Sequence, residues 1–303
     1  NPKEPMFKNA TLFRFSNLPA TSGEGGADLC FNAFVPCGAT QERSIGWVPP
    51  RGHENGALLE SVAGQSILKL MVESKTVPAD VVKRKVAEQV AHIEATTGRK
   101  PGKKEKRELT DDARLALLPM AFTKQSATLV WIDPVTRLLL IDSASQSKID
   151  DVLTMLVKSM DGLVLQLIQT TQAPASAMSQ WLTEMEAPDG FTVDRECELK
   201  ASDESKAVVK YGRHALDIAE VAQHIAQGKI PTRLALTYDD RVSFVLTEGG
   251  ALKKIAILDV AVMGGCGGAE DGFDADVTIA TGELKKLVPA LLGALGGEVV
   301  VAS

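Results

Sequence analysis

Cysteine is scarce in this chain of 303 residues: Cys30, Cys37, Cys197 and Cys266, with none at CxxC spacing. Four such residues neither staple a chain of this length nor supply a structural zinc site, and they suit a reducing compartment. Aromatic residues are also few, 14 in all, which disfavours the rows of base-stacking platforms found in single-strand readers. No apolar run reaches membrane-spanning length. The opening NPKEP lacks the basic and apolar regions of a signal peptide, so Met6 reads as a natural start, Asn1 to Pro5 as an extension, and the protein as cytoplasmic.

Catalytic signatures are missing too. His53, His92, His214 and His224 show no HExxH or other ligand spacing, and no serine sits in a GxSxG elbow. GGCGG at 264–268 lacks the Gly-Lys-Ser/Thr ending of a phosphate loop and reads as a mobile connection with an exposed Cys266. Glu270, Asp271, Asp274 and Asp276 do not match a calcium loop and read as a solvated turn; Asp133 and Asp142 end adjacent strands and read as turn residues. These observations predict no conventional enzyme, no cofactor and no metal site.

What the chain does have is length, a 45% hydrophobic content sufficient for a large core, and one anomaly of charge. The net charge is -6, yet Arg99, Lys100, Lys103, Lys104, Lys106 and Arg107 oppose only Glu105, a local +5. Any nucleic-acid contact by so acidic a chain must be concentrated on one surface. Val82, Val86, Val90 and Ile93 before this tract make one narrow helical stripe, stopped by Gly98. After the tract, Thr110 reads as the cap of a second helix carrying Asp111 and Asp112 in its first turn and ended by Pro119. The spacing therefore predicts a helical hairpin with a cationic tip. Such a tract serves equally as a solvated loop or as a phosphate contact, and the alternative to a DNA-binding arm is a protein-interaction adaptor whose arm docks an acidic recombination or replication factor. Lys75, Lys83, Arg84, Lys124, Lys206, Lys210 and Arg213 are further cations outside it, and cations without interleaved aromatics are what backbone-only, sequence-independent binding requires.

Around the hairpin the chain reads as α/β scaffold in four parts. Residues 1–75 form a β-α-β-β-β lobe, with a short helix at 27–34 and Trp47 in a fixed extended corner; 76–122 form the arm. Residues 123–170 form a β-β-α-β unit, and 171–303 a C-terminal lobe that repeats the strand-helix-meander order. In that last part 170–179 reads as a linker, 180–186 as a short helix, 261–271 as a loop, VTIA at 277–280 as a strand, and 283–295 as a final helix kinked at Pro289.

FVPCG (34–38), GWVPPRG (46–52), LLPMAF (117–122), LVWID (129–133), IDSAS (141–145), GKIPTRLAL (228–236), GALKK (250–254), FDAD with TGEL (273–284) and ALGGE (294–298) together resemble the RdgC family of proteobacterial recombination-associated proteins. The extension at 1–5, the glycine-rich 264–268 and Pro289 depart from that pattern. The resemblance implies an elongated crescent subunit of mixed sheets with flanking helices and a protruding arm, two of which close as a homodimer into a ring around duplex DNA. It also implies DNA binding without sequence preference, nucleoid association, and antagonism of RecA-promoted strand exchange. A compact globule of this length has a radius of gyration of ~19 Å, so two subunits rather than one would be needed to encircle a duplex. On this reading the tract, with Lys75, Lys83, Arg84, Lys210 and Arg213, faces phosphates of double-stranded and also single-stranded DNA. Leu115, Leu118 and Phe122 close the ring, ordinary packing inside the hairpin being their other reading.

Overall fold

The computed structural model describes residues 5–19, 29–258 and 269–299. The expected helix at 27–34 falls partly outside them, and the described part is one helical turn at 29–31; GGCGG with Cys266, and the side chains of Glu270 and Asp271, lie outside them altogether.

The chain adopts the α/β class, with one open antiparallel sheet of 12 strands in place of several mixed sheets. Its strands are β1 (Asn9–Ser16), β2 (Arg43–Val48), β3 (Leu59–Val62), β4 (Gln65–Lys75), β5 (Thr123–Asp133), β6 (Leu138–Ile141), β7 (Val164–Leu167), β8 (Phe191–Ala201), β9 (Val208–Gly212), β10 (Lys229–Tyr238), β11 (Val242–Thr247) and β12 (Leu252–Ile257). The spatial order is β2-β4-β5-β6-β1-β12-β11-β10-β8-β9, with β3 also on β4 and β7 also on β1. The helices are α1 (Ala79–Thr97), α2 (Lys103–Leu117), α3 (Gln146–Ser159), α4 (Pro174–Glu184), α5 (Ala219–Ala226) and α6 (Ala269–Ala294).

β1 is the junction of the sheet. Asn9 and Ala10 pair with β12, Thr11 to Arg14 pair with β6, and Phe13 to Ser16 pair with β7. Two apolar cores follow from this layout. One joins Trp131, Leu140 and Leu12 to α4, α5, α6 and the inner face of β8 to β12; the other packs α3 on Phe13, Trp47, Leu70 and Ile132. The buried indoles are satisfied, Trp131 Nε1 donating to Gln65 Oε1 at 2.9 Å and Trp47 Nε1 to Ser159 Oγ at 2.8 Å. Gly46 is obligatory beside Trp47, because a Cβ there would lie 2.5 Å from the Phe34 backbone.

α6 fastens both halves of the sheet. Glu283 accepts two bonds from Arg241, Lys285 lies 3.3 Å from the fully buried Asp133, and Asp274 accepts from Arg51 at 2.6 Å. Burial alone would raise the Asp133 carboxyl, but Thr136, the Val135 N–H and Lys285 hold it below the usual range.

Several expected elements are corrected. VTIA at 277–280 belongs to α6, because Val277, Ala280, Leu284, Leu287, Val288 and Leu291 continue one buried helical stripe. The final helix thus begins at Ala269 rather than at 283, and contains Pro289 as expected. The supposed linker at 170–179 contains the first half of α4, where Ala177 and Met178 are fully buried. β7 is largely exposed rather than buried. β8 has no counterpart in the sequence reading.

Candidate nucleic-acid interface

The arm grows from the longest hairpin of the sheet. β4 and β5 stay paired from Ser66–Ile132 out to Lys75–Thr123, and the chain between them forms α1 and α2. At 1.5 Å per residue, helices of 19 and 15 residues carry the tip roughly 20–30 Å beyond the sheet. Gly98 ends α1 in the left-handed region, φ 68°, where its N–H bonds Glu94 O. Val82, Val86, Val90 and Ile93 on α1 are half-buried or buried, as are Leu109, Ala113 and Leu117 on α2. The α1 side is the narrow stripe that the spacing predicts; the α2 side runs through Leu109, Ala113 and Leu117, and leaves Leu115 outside it.

α2 begins eight residues earlier than the Thr110 cap implies, with Gly102 as N-cap. Thr110 lies mid-helix, its hydroxyl donating to Lys106 O at 2.7 Å. Lysine, arginine and glutamate are good helix formers, so the tract extends the helix instead of interrupting it. The consequence is electrostatic. Lys103, Lys104, Lys106 and Arg107 occupy the first two turns, where the helix dipole disfavours cations; Gly102 has no side chain to cap the first N–H groups, and Glu105 reaches back only to the Gly102 N–H. Glu105, the one acid inside the tract, is bound to Arg99 by two bonds of 2.7 and 3.0 Å, which keep its carboxyl below the usual range, and Glu108 in the second turn is in no ion pair among the described residues. Among the described residues no carboxylate pairs with Lys100, Lys103, Lys104, Lys106 or Arg107, and all five are exposed.

The remaining predicted cations are dispersed. Lys83 and Arg84 are exposed on α1, Lys83 lying 3.7 Å from Asp80. Lys75 sits at the arm's root, where its ammonium donates to the carbonyls of Gly38 (2.7 Å) and Ala39 (3.1 Å) and fastens that loop. The buried Glu73 beside it accepts from Gln125 and from the Cys37 N–H, and both lower its carboxyl. Lys210 on β9 pairs with Glu198 at 3.0 Å, and Arg213 follows it in the left-handed region. β9 is seven strand steps from β5 along the sheet, a path on the order of 34 Å, so the structure does not bring these two beside the arm's root by pairing.

The three apolar residues also separate. Leu118 is 2% exposed and packs inside its own chain, so it offers no surface to a partner. Leu115 is 51% and Phe122 92% exposed, with Met120 similarly open. All of them lie at the root of the arm, one helix length from the Gly98–Gly102 tip, rather than at its end. The sequence reading also overlooked Lys200, Arg233 and Lys253, which alternate with the buried Leu199, Leu234 and Leu252 and so line the opposite face of the sheet. That alternation was their available signal.

Among the described residues no group of three or more His, Cys, Asp or Glu side chains converges to hold a metal ion, and Asp274 is engaged by Arg51. No described helix is long and apolar enough to cross a membrane.

The profile of a protein family described as "Putative exonuclease, RdgC" matches residues 6–298. The chain belongs to the RdgC family. Similar members are the recombination-associated proteins RdgC of Janthinobacterium sp. (strain Marseille), 43% identical over 297 residues, 97% of this chain and 98% of that one, and of Cupriavidus necator, 45% identical over 296 residues, 96% and 98%. The Bordetella pertussis protein of the same name is 40% identical over 297 residues, again 96% and 98%. The family profile and the names of these RdgC proteins differ: one names an exonuclease, the others association with recombination.

Proposed function

We propose that this RdgC-family chain binds DNA without sequence preference, pairs with a second copy into a ring around the duplex, and limits RecA-promoted recombination by occupying the DNA. The observation that carries the DNA contact is the arm's tip: five exposed cations without a carboxylate partner among the described residues, Lys100 in the connecting turn and Lys103, Lys104, Lys106 and Arg107 on helix turns whose own dipole disfavours them. A phosphate backbone relieves both the mutual repulsion and the uncapped N–H groups. Lys83, Arg84, Lys210 and Arg213 supply further phosphate contacts, single strands are accepted by the same charge, and the protein resides on the nucleoid. Leu115 and Phe122, exposed at the root, supply apolar surface for the second copy. The ring and the restraint on RecA rest on the family resemblance.

Ring closure has a topological test. The protein loaded on circular duplex DNA should stay bound through a high-salt wash and slide off once the circle is cut. Equal retention on circular and linear DNA would remove the ring. The exonuclease in the family's description supports a second reading, tested by incubating labelled duplex with Mg²⁺ or Mn²⁺. DNA of unchanged length would dispose of it, and shortening would establish it.

A further inference from the structure

At β1 the sheet forks. Its ladder with β12 ends at Ala10 and its ladder with β7 begins at Phe13, so the strand's edge opens between them. A cavity of about 570 Å³ occupies the fork, between α3 and the face of β8 to β12 that no helix of the apolar core covers. Its floor is apolar, formed by Phe13, Ile149, Leu153 and Leu167. Its rim carries Lys200, Arg233 and Lys253, none of which pairs with a carboxylate among the described residues. Of the two carboxylates on the rim, Glu198 is already engaged by Lys210 at 3.0 Å and by the Thr232 hydroxyl at 2.8 Å. Arg233 stands directly across the ladder from Glu198, whose carboxyl its charge helps to lower, while Lys200 and Lys253 face the remaining rim acid, Glu248; the cations outnumber the carboxylates above an apolar surface.

A site with this division asks for a flat apolar body joined to an anionic end, in the size range of small-molecule pockets. A nucleoside phosphate has both parts. We infer that this cleft binds one nucleotide unit, its base on the Phe13–Leu153 floor and its phosphate toward Arg233, Lys200 and Lys253. The unit is either a free nucleotide or part of a single strand. This site is separate from the arm, and its failure would leave duplex binding by the arm untouched.

The test uses the full chain with two probes: dAMP by isothermal titration, and a labelled oligothymidylate by fluorescence anisotropy. Saturation by dAMP assigns a free nucleotide, and saturation by the oligonucleotide alone, measured in the Lys100→Glu/Lys103→Glu/Lys104→Glu background to remove the arm's own single-strand contact, assigns a unit within a strand. Arg233→Glu and Lys253→Glu should each weaken the bound probe by about tenfold or more. Leu167→Trp, at a half-exposed lining position, should block it by filling the cleft while the melting temperature stays near that of the parent. If dAMP is the bound probe, Lys100→Glu/Lys103→Glu/Lys104→Glu should leave its titration unchanged. The inference is overturned if neither probe saturates, if the cleft variants bind undiminished, or if the arm variant abolishes dAMP binding.

Discussion

Arg99 and Glu105 clasp each other across the turn of the arm, Nη1 to Oε2 at 2.7 Å and Nη2 to Oε1 at 3.0 Å. The pair joins the residue after Gly98 to the first turn of α2, and it engages the one carboxylate inside the lysine tract. Both side chains are open to solvent, so screening leaves the clasp little weight in stability. Glu105→Gln should therefore lower the melting temperature only slightly, and should strengthen duplex binding at low salt by releasing Arg99. Weaker binding in that variant would mean that the shape of the turn matters more than its charge.

Leu118 and Phe122 should respond in opposite ways to truncation. Leu118→Ala removes a buried side chain and should cost about 2–4 kcal/mol in urea unfolding at any protein concentration. Phe122→Ala removes a side chain exposed in the single chain and should leave intrinsic stability within about 0.5 kcal/mol. Its predicted effect is on sedimentation, shifting the population toward monomer. A variant that sediments as the parent does would take Phe122 out of the interface.

Gly46→Ala should be among the most damaging single-methyl changes. The added Cβ meets main-chain atoms of Ala33 and Phe34, which cannot swing aside as a side-chain end would. Overpacking of this kind costs roughly 1–3 kcal/mol or more, read as a lower urea midpoint.

Asp142 gives a pH signature at the sheet junction. Its Oδ1 accepts the N–H groups of Lys8 at 2.9 Å and Asn9 at 2.7 Å, just where β1 pairs with β12. Burial pushes its carboxyl up to about 6 from 3.8, against the opposing pull of those N–H donors. Because the folded state holds this proton more tightly, the contribution favours folding below pH ~4 and is lost as pH rises through ~6. Its span is on the order of 3 kcal/mol. Carboxylates held low by ion pairs, such as Glu283, run the other way, so the measurement is a difference. Stability of Asp142→Asn minus that of the parent should rise between pH 4 and 6 and flatten above. A pH-independent difference would mean the carboxyl titrates normally.

The sequence was legible where local chemistry and tertiary packing agree. Ala63–Gly64 and Asp239–Asp240 read as turns, and all four residues take positive φ, as tight hairpins require. Gly98 stops α1 for the same reason. Where reading failed, burial overrode a local cue. The β-branched VTIA suggests a strand, but Val277 and Ala280 fit the helical stripe of α6. The Ala/Ser/Gln run before Trp181 suggests a linker, yet Ala177 lets α4 approach its neighbours closely. β8 escaped notice because one of its faces is open, so charged residues interrupt Phe191, Cys197 and Leu199. The cationic tip was visible from composition alone. Its separation from Leu115 and Phe122 was not, since that depends on α2 starting at Lys103.

Duplex affinity measured against salt concentration, for the parent and for Lys100→Glu/Lys103→Glu/Lys104→Glu, tests the central claim most directly. The parent's log–log slope should be steep, and the variant should lose about one unit of slope per phosphate contact removed, equally on unrelated sequences. Identical affinities and slopes for the two proteins would contradict a DNA-contacting arm.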